Sequence, residues 1–228
     1  MIDKATGTKP ARARRILIVD DHPLVRQGIR MLLSGQADFA VSGEAVSAHE
    51  ALEIMRHDPP DAAIVDLTLK ESSGLDLIKD MQIRHPRVMV LVVSMRDEGF
   101  YAERVLRAGA RGYVTKEEGP DEILRGLRRI LNGQIHVSDR VASKVMQKII
   151  AGSGGQAGNP LDSLTDRELQ VFELIGNGLP TREIARGLHI STKTVDSHRE
   201  HIKEKLHLAS ASELLRHAIQ WVQCQKKV

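Results

Sequence analysis

Cysteine is almost missing from this sequence, with Cys224 alone among 228 residues. A single thiol excludes an internal disulfide and a cysteine-based metal cage, and it makes a reducing cytoplasm the expected setting. Aromatic residues are nearly as scarce, at three Phe, two Tyr and one Trp. That is too few for a platform on which single-stranded bases stack. No apolar run approaches the roughly 18 residues that span a bilayer, so no membrane insertion is expected. The basic start is followed only by the short run Ile16–Val19, too brief for the apolar core of a signal peptide. A strong charge of one sign is missing as well. The net charge is +3, with residues 1–15 carrying +4, residues 161–228 carrying +1 and the stretch between them −2. Charge alone does not mark a nucleic-acid binder, so motifs have to.

What is present is a soluble-protein composition, 41% hydrophobic and 28% charged, in a length that suits one large or two ordinary domains. From residue 16 short apolar runs alternate with amphipathic ones. Ile16–Asp20, Phe39–Gly43, Ala62–Asp66, Val88–Ser94 and Arg111–Thr115 read as strands. Leu24–Leu33, Ala48–His57, Gly74–Arg84, Asp97–Ala108 and Asp121–Leu131 read as helices. In the last of these, Ile123, Leu124, Leu127, Ile130 and Leu131 form one stripe of a 3.6-residue period. Strand–helix alternation of this kind predicts a doubly wound, five-stranded parallel sheet covered on both faces, an α/β fold. A further helix, Ser138–Ile150 with Ser138 as its cap, precedes the Gly-rich stretch from Ala151 to Pro160, which reads as a flexible linker. Beyond it the pattern becomes all-helical, with Asp166–Gly176, Thr181–Leu188, Thr192–Leu206 and Ser210–Gln223. The expected organisation is a disordered basic leader (1–15), an α/β domain (16–135), a helix and linker (136–160) and a small all-α domain (161–228).

Four of the strand candidates end in polar residues able to do chemistry: Asp20 and Asp21, Asp66, Ser94, and Thr115 with Lys116. In an open parallel sheet, ligands bind beyond the carboxyl ends of the strands where the winding reverses. With strand order 2-1-3-4-5 the first and third strands meet there, bringing Asp20, Asp21 and Asp66 together beside Ser94 and Lys116. Three clustered carboxylates repel one another unless a cation neutralises them, and hard oxygen ligands favour Mg²⁺. Any one of these acids could simply cap the helix that follows it. Polar residues at matching ends of four strands are poorly explained that way.

Residues 16–131 resemble a two-component receiver domain through Asp20-Asp21, Asp66, Ser94 and Gly112-Tyr113-Val114-Thr115-Lys116. The resemblance implies that Asp66 takes a phosphoryl group from a sensor histidine kinase. It also implies that Asp20, Asp21, Asp66 and the backbone carbonyl of Thr68 hold Mg²⁺. Lys116 would pair with the phosphoryl oxygens, Ser94 would hydrogen-bond them, and Tyr113 would follow inward as an aromatic switch. These roles fit a carboxylate nucleophile screened by a metal and an ammonium group. Thr68 and Arg96 flank the pocket and are expected to tune the phosphoryl lifetime. The sequence departs from the family at Leu69 and Lys70, and at Glu117, where other receivers place Pro after the Lys.

In the all-α segment, Ser191 is the N-cap candidate of Thr192–Leu206, with Thr192 its rival. On a helical wheel Val195, Ile202 and Leu206 face inward, while Lys193, Ser197, Glu200 and Glu204 face outward. An inner apolar stripe and an outer polar face behind a tight turn suit a helix that enters the major groove. Leu164-Thr-Asp-Arg-Glu168, Gly176-Asn-Gly178, Arg182-Glu-Ile-Ala185 and Ser191-Thr-Lys-Thr-Val195, with His198, Ile202 and Lys205-Leu206, resemble a LuxR-type helix-turn-helix domain. Joined to the receiver, the architecture is similar to the NarL/FixJ class of response regulators. The resemblance implies double-stranded promoter DNA, in inverted repeats, as the partner of a homodimer formed on activation. Lys193, Thr194, His198, Arg199, Lys203 and Lys205 are the expected phosphate contacts, and Asp196, Ser197 and Glu200 the expected readers of base edges. The apolar face of the last helix is wide enough to serve dimerisation too. Two rivals are a constitutive DNA-binding regulator whose receiver is a dimerisation scaffold, and an Mg²⁺-dependent phosphohydrolase. Apart from self-phosphorylation and slow self-dephosphorylation at Asp66, no enzyme activity is expected. Repacking of Ser94 and Tyr113 is the expected link from phosphorylation to DNA binding.

Overall fold

The computed structural model describes residues 12–69, 72–151 and 159–225. The leader up to residue 11, Lys70 and most of the Gly-rich stretch lie outside the described residues. The chain divides into two compact units, Met1–Glu98 with Val105–Ser138, and Gly99–Arg104 with Asp139–Val228.

The first unit is the expected α/β fold. Strands β1 (Arg14–Val19), β2 (Phe39–Ala45) and β3 (Ala62–Val65) alternate with helices α1 (Pro23–Ser34) and α2 (Ala48–His57). A two-residue hairpin, β4 (Thr68–Leu69) and β5 (Ser72–Ser73), follows β3. Helix α3 (Gly74–Arg84), strand β6 (Met89–Ser94), helix α4 (Glu98–Ala108), strand β7 (Gly112–Thr115) and helix α5 (Pro120–Leu131) complete the series, with residues 99–104 of α4 counted in the second unit. The sheet is parallel in the order β2-β1-β3-β6-β7, the expected doubly wound arrangement once the small hairpin is set aside. No periodicity announces a two-residue strand, which is why β4 and β5 escape a reading by pattern.

The central strands are apolar on both faces because both are covered. Ile16, Ile18, Ile64, Leu91, Val93 and Val114 pack with Ile29 and Leu33 of α1 and Leu124, Leu127 and Ile130 of α5. Leu17, Val19, Ala63 and Val65 point to the other face and are also fully buried, as are Met55, Leu77, Ile78 and Met81 of α2 and α3. Burying each large aliphatic side chain contributes about 1.5–3 kcal/mol. This rigid sheet fixes the positions of its strand ends.

The second unit contains α6 (Asp139–Ala151), a 3-10 turn (Pro160–Ser163), α7 (Asp166–Gly176), α8 (Thr181–Gly187), α9 (Thr192–Leu206) and α10 (Ala211–Gln225). Helix α7 begins with a capping box: the Thr165 side chain accepts from the Glu168 amide, and Glu168 accepts from the Thr165 amide at 2.7 Å. Ser191, rather than Thr192, caps α9 by accepting from the Thr194 amide at 3.0 Å. The α8–α9 turn is closed by His189 in a left-handed conformation, φ 52°. Leu169, Phe172, Ile175, Ile184, Val195, Ile202, Leu214 and Ala218 form the small core.

Candidate functional site

Register brings the acids together. The Asp20 amide donates to the Ala45 carbonyl at 3.1 Å and the Asp66 amide to the Val19 carbonyl at 2.9 Å, so both residues continue their strands just past the sheet edge. Asp20 and Asp66 are buried, 2% and 3% exposed. Gly74 approaches from behind: a Cβ there would sit 2.1 Å from the Asp66 carbonyl oxygen, so glycine is required for α3 to start this close.

Lys116, on the loop after β7, donates from Nζ to Asp20 Oδ2 and to Asp66 Oδ2, both at 2.7 Å. Burial pulls its ammonium toward neutrality, but the hydrogen bonds and charges of the two carboxylates outweigh burial and raise its pKa. The lysine is thus firmly charged. Asp66 Oδ1 remains buried with no hydrogen-bond partner, and Asp21 Oδ1, also buried, has the His22 ring nitrogen beside it. The orphaned Asp66 oxygen is what a cation would satisfy, and the cluster of carboxylates suits a hard divalent ion.

One residue of this cluster was not anticipated from the sequence. His22 donates its amide to Asp20 Oδ1 at 2.8 Å, and its Nδ1 lies 2.8 Å from Asp21 Oδ1. One ligand atom from each of Asp20, Asp21, His22 and Asp66 falls within 4.8 Å of the others. Adjacency to an acidic pair was the only sequence signal, and it is a weak one.

The switch candidates flank the acids. Ser94 is fully buried at the end of β6, and its carbonyl accepts from the Lys116 amide at 2.9 Å. The Arg96 amide reaches Ser94 Oγ at 3.5 Å, and Arg96 Nε donates to Thr68 Oγ1 at 3.3 Å. Tyr113 is buried, with its hydroxyl donating to the Arg96 carbonyl at 2.8 Å. The structure therefore brings Asp20, Asp21, Asp66, Ser94, Lys116, Thr68, Arg96 and Tyr113 to one end of the sheet. The peptide bond between Lys116 and Glu117 is trans.

In the second unit, α9 presents Lys193, Thr194, Asp196, Ser197 and Glu200 to solvent and buries Val195 and Ile202. Several expected phosphate contacts already have partners inside the unit. Lys205 Nζ donates to Glu168 Oε2 at 2.6 Å, Arg199 to Thr181 Oγ1 at 3.2 Å, and Lys203 pairs with Glu200 at 2.8 Å. His198 is half-buried, and burial lowers its pKa. A wheel drawn for one helix does not reveal acceptors supplied by its neighbours. Arg182 and Arg186 are exposed on α8; Arg182 entered the sequence reading only as part of the LuxR-type motif, and neither was expected as a DNA contact. Glu168, His198 and His201 also converge within 4.8 Å. There Lys205 already neutralises the carboxylate, whose pKa its hydrogen bond lowers against the upward pull of burial.

Comparison with known proteins agrees with this anatomy. Residues 16–128 match the response regulator receiver domain, and residues 162–218 match the luxR family of bacterial regulatory proteins. A nitrate/nitrite response regulator protein homolog of Haemophilus influenzae is 35% identical over 198 residues, covering 86% of this chain and 91% of that protein. The oxygen regulatory protein NreC of Staphylococcus carnosus is 32% identical over 209 residues, 90% of this chain and 96% of its own. Among solved structures, a LuxR-family two-component response regulator from Aurantimonas is 33% identical with a TM-score of 0.56, over 60% of this chain and 99% of that one. RcsB of Salmonella enterica, bound to promoter rprA in the presence of the phosphomimetic BeF3-, is 26% identical with a TM-score of 0.66, over 90% of this chain and 98% of that one. With its acids gathered at the switch point of a doubly wound sheet and a capped helix-turn-helix following it, the chain belongs to the NarL/FixJ class of response regulators, which join a receiver to a LuxR-type DNA-binding domain.

Proposed function

We propose that this chain is a phosphorylation-dependent transcription regulator in which Asp66 accepts a phosphoryl group from a sensor histidine kinase. The observation that carries the reading is the setting of Asp66: one carboxylate oxygen rests on Lys116 and the other is buried without a partner beside Asp20 and Asp21. In the transfer an Asp66 oxygen bonds to phosphorus as the bond from phosphorus to the donor imidazole breaks. The electron pair leaves with the imidazole, which takes a proton from solvent. Asp20, Asp21, Asp66 and the Thr68 carbonyl would hold Mg²⁺, whose charge offsets that of the phosphoryl oxygens. Lys116 then exchanges its Asp66 oxygen for a phosphoryl oxygen, and the Ser94 hydroxyl donates to another. Thr68 and Arg96, joined side chain to side chain, border the acyl phosphate and set its lifetime. Its slow hydrolysis is the one turnover expected of the chain.

For output, α9 enters the major groove, where Asp196, Ser197 and Glu200 read bases and Lys193 and Thr194 contact phosphates. Arg182 and Arg186 of α8 add backbone contacts. Phosphorylated copies pair and place two α9 helices about one DNA turn apart on an inverted repeat. The cytoplasm, which holds both DNA and a kinase's catalytic domain, is the proposed location. Among the described residues no helix is long and apolar enough to cross a membrane.

The test uses the full chain with acetyl phosphate and Mg²⁺. A slower band on a phosphate-affinity gel is expected for the wild type, and none for Asp66→Ala or after EDTA. The modified form should also bind tighter to DNA selected from genomic fragments. Unmodified wild type, or wild-type binding by Asp66→Ala, overturns the reading.

A further inference from the structure

The first unit does not stop at α5. After Gly133, whose φ is 77°, residues 134–138 fold back along the outer edge of β7. The His136 amide donates to the Arg111 carbonyl at 3.0 Å, and the His136 carbonyl accepts from the Tyr113 amide at 2.8 Å. His136 bridges Gly112 in parallel, so this strap is an abbreviated sixth strand beside the residue expected to act as the aromatic switch.

The fit is close on every side. His136 is 4% exposed. A Cβ on Gly126 would lie 2.9 Å from its ring, and one on Gly112 would lie 3.0 Å from its carbonyl oxygen. Its Nε2 lies 2.9 Å from Glu122 Oε1 of α5. Two residues on, the Ser138 amide donates to Glu98 Oε1 at 2.8 Å, and Glu98 is a buried carboxylate at the start of α4. Asp139, the next residue, begins α6.

These contacts close a circuit. Ser94 touches the Arg96 amide, the Arg96 carbonyl accepts from Tyr113, the Tyr113 amide holds His136, and the same loop two residues beyond Arg96 supplies Glu98 to Ser138. A shift of Ser94 toward a phosphoryl group moves the Ser94–Glu98 loop and so pulls on the strap at both of its anchors. We propose that the 134–138 strap carries the state of the Asp66 pocket out of the receiver, with His136 as a positioning residue for Tyr113 and Glu98 as the release point. This rests on Asp66 being the phosphoacceptor. A packed strap with two anchors can hold or let go, which is the bistability a small charge change needs in order to act at a distance.

The test compares Glu98→Gln, His136→Ala and the conservative His136→Gln in the full chain. DNA affinity is measured with and without acetyl phosphate on a duplex selected by phosphorylated wild type, and the phosphorylated fraction is read on the same samples. Glu98→Gln and His136→Ala are expected to reach the wild-type phosphorylated fraction but to lose at least about fivefold of the phosphorylation-dependent gain in affinity, the scale of a typical coupling. His136→Gln, which keeps a donor toward Glu122, should recover part of it. Amide exchange in the wild-type protein supplies a readout independent of any variant: beryllofluoride should change exchange at Tyr113, His136 and Ser138. An undiminished gain in both variants, or unchanged exchange at those amides, overturns the inference alone. A wild type that takes no phosphoryl group overturns the phosphoacceptor reading and the inference with it.

Discussion

Among single residues, Lys116 holds the pocket together before any phosphoryl group arrives. Its side chain is 12% exposed and bridges two nearly inaccessible carboxylates. Removing it by Lys116→Met leaves those charges uncompensated, which costs about 3 kcal/mol or more. Melting temperature should fall without metal, and added Mg²⁺ should raise it by more than it raises the wild type, because the ion then supplies the only compensation. Acyl phosphate formation should drop in the same variant. His136 sets a second expectation. Its burial, with the charges of Arg129 and Arg125, lowers its pKa against the opposing pull of Glu118 and Glu98. Nε2 faces Glu122, so a second proton would go to Nδ1, which is buried without a partner. The unfolded chain therefore binds that proton more readily than the fold does. Stability is complete above the ordinary histidine value of about 6.5 and declines as pH falls below it, by at most about 1.4 kcal/mol per pH unit. Denaturant titrations from pH 7.5 to 5 check this, and the part due to His136 should vanish in His136→Gln. The acids and Lys116 were legible in the sequence because each closes a short apolar run. His22 and His136 were not, since no periodicity distinguishes a histidine that faces a neighbour from one that faces water.

Elements follow the same division. Long elements with a regular apolar stripe were legible almost to the residue, as for α2, α3, α7 and α9, while β4, β5 and the strap along β7 are too short to show a period. Close crossings are equally hidden. Gly176 ends α7 where a Cβ would lie 2.4 Å from the Ala218 carbonyl oxygen of α10. Backbone atoms cannot rotate away as a side chain can. Gly176→Ala should therefore force α10 off α7 and destabilise the second unit by about 1–3 kcal/mol. Thermal melts of the variant check this. If α10 also pairs two copies, DNA affinity should fall further than the loss of folded protein explains.

For the molecule as a whole, DNA binding follows from how few of its positive charges are uncommitted. Lys203 and Lys205 are paired with carboxylates, which leaves Lys193, Arg182 and Arg186 among the exposed cations of α8 and α9. Three phosphate contacts per copy give a paired complex a slope of about −5 in log affinity against log salt. Titration on random duplex at several salt concentrations measures it, and a slope of about −9 would mean that Lys203 and Lys205 abandon their acidic partners on binding. The strap along β7 has one further consequence. An uncovered sheet edge offers a ladder of unsatisfied amides and carbonyls to any extended chain, including another copy. His136 and its neighbours occupy that position on the β7 flank, so addition of a strand to β7 is blocked where the strap pairs with it.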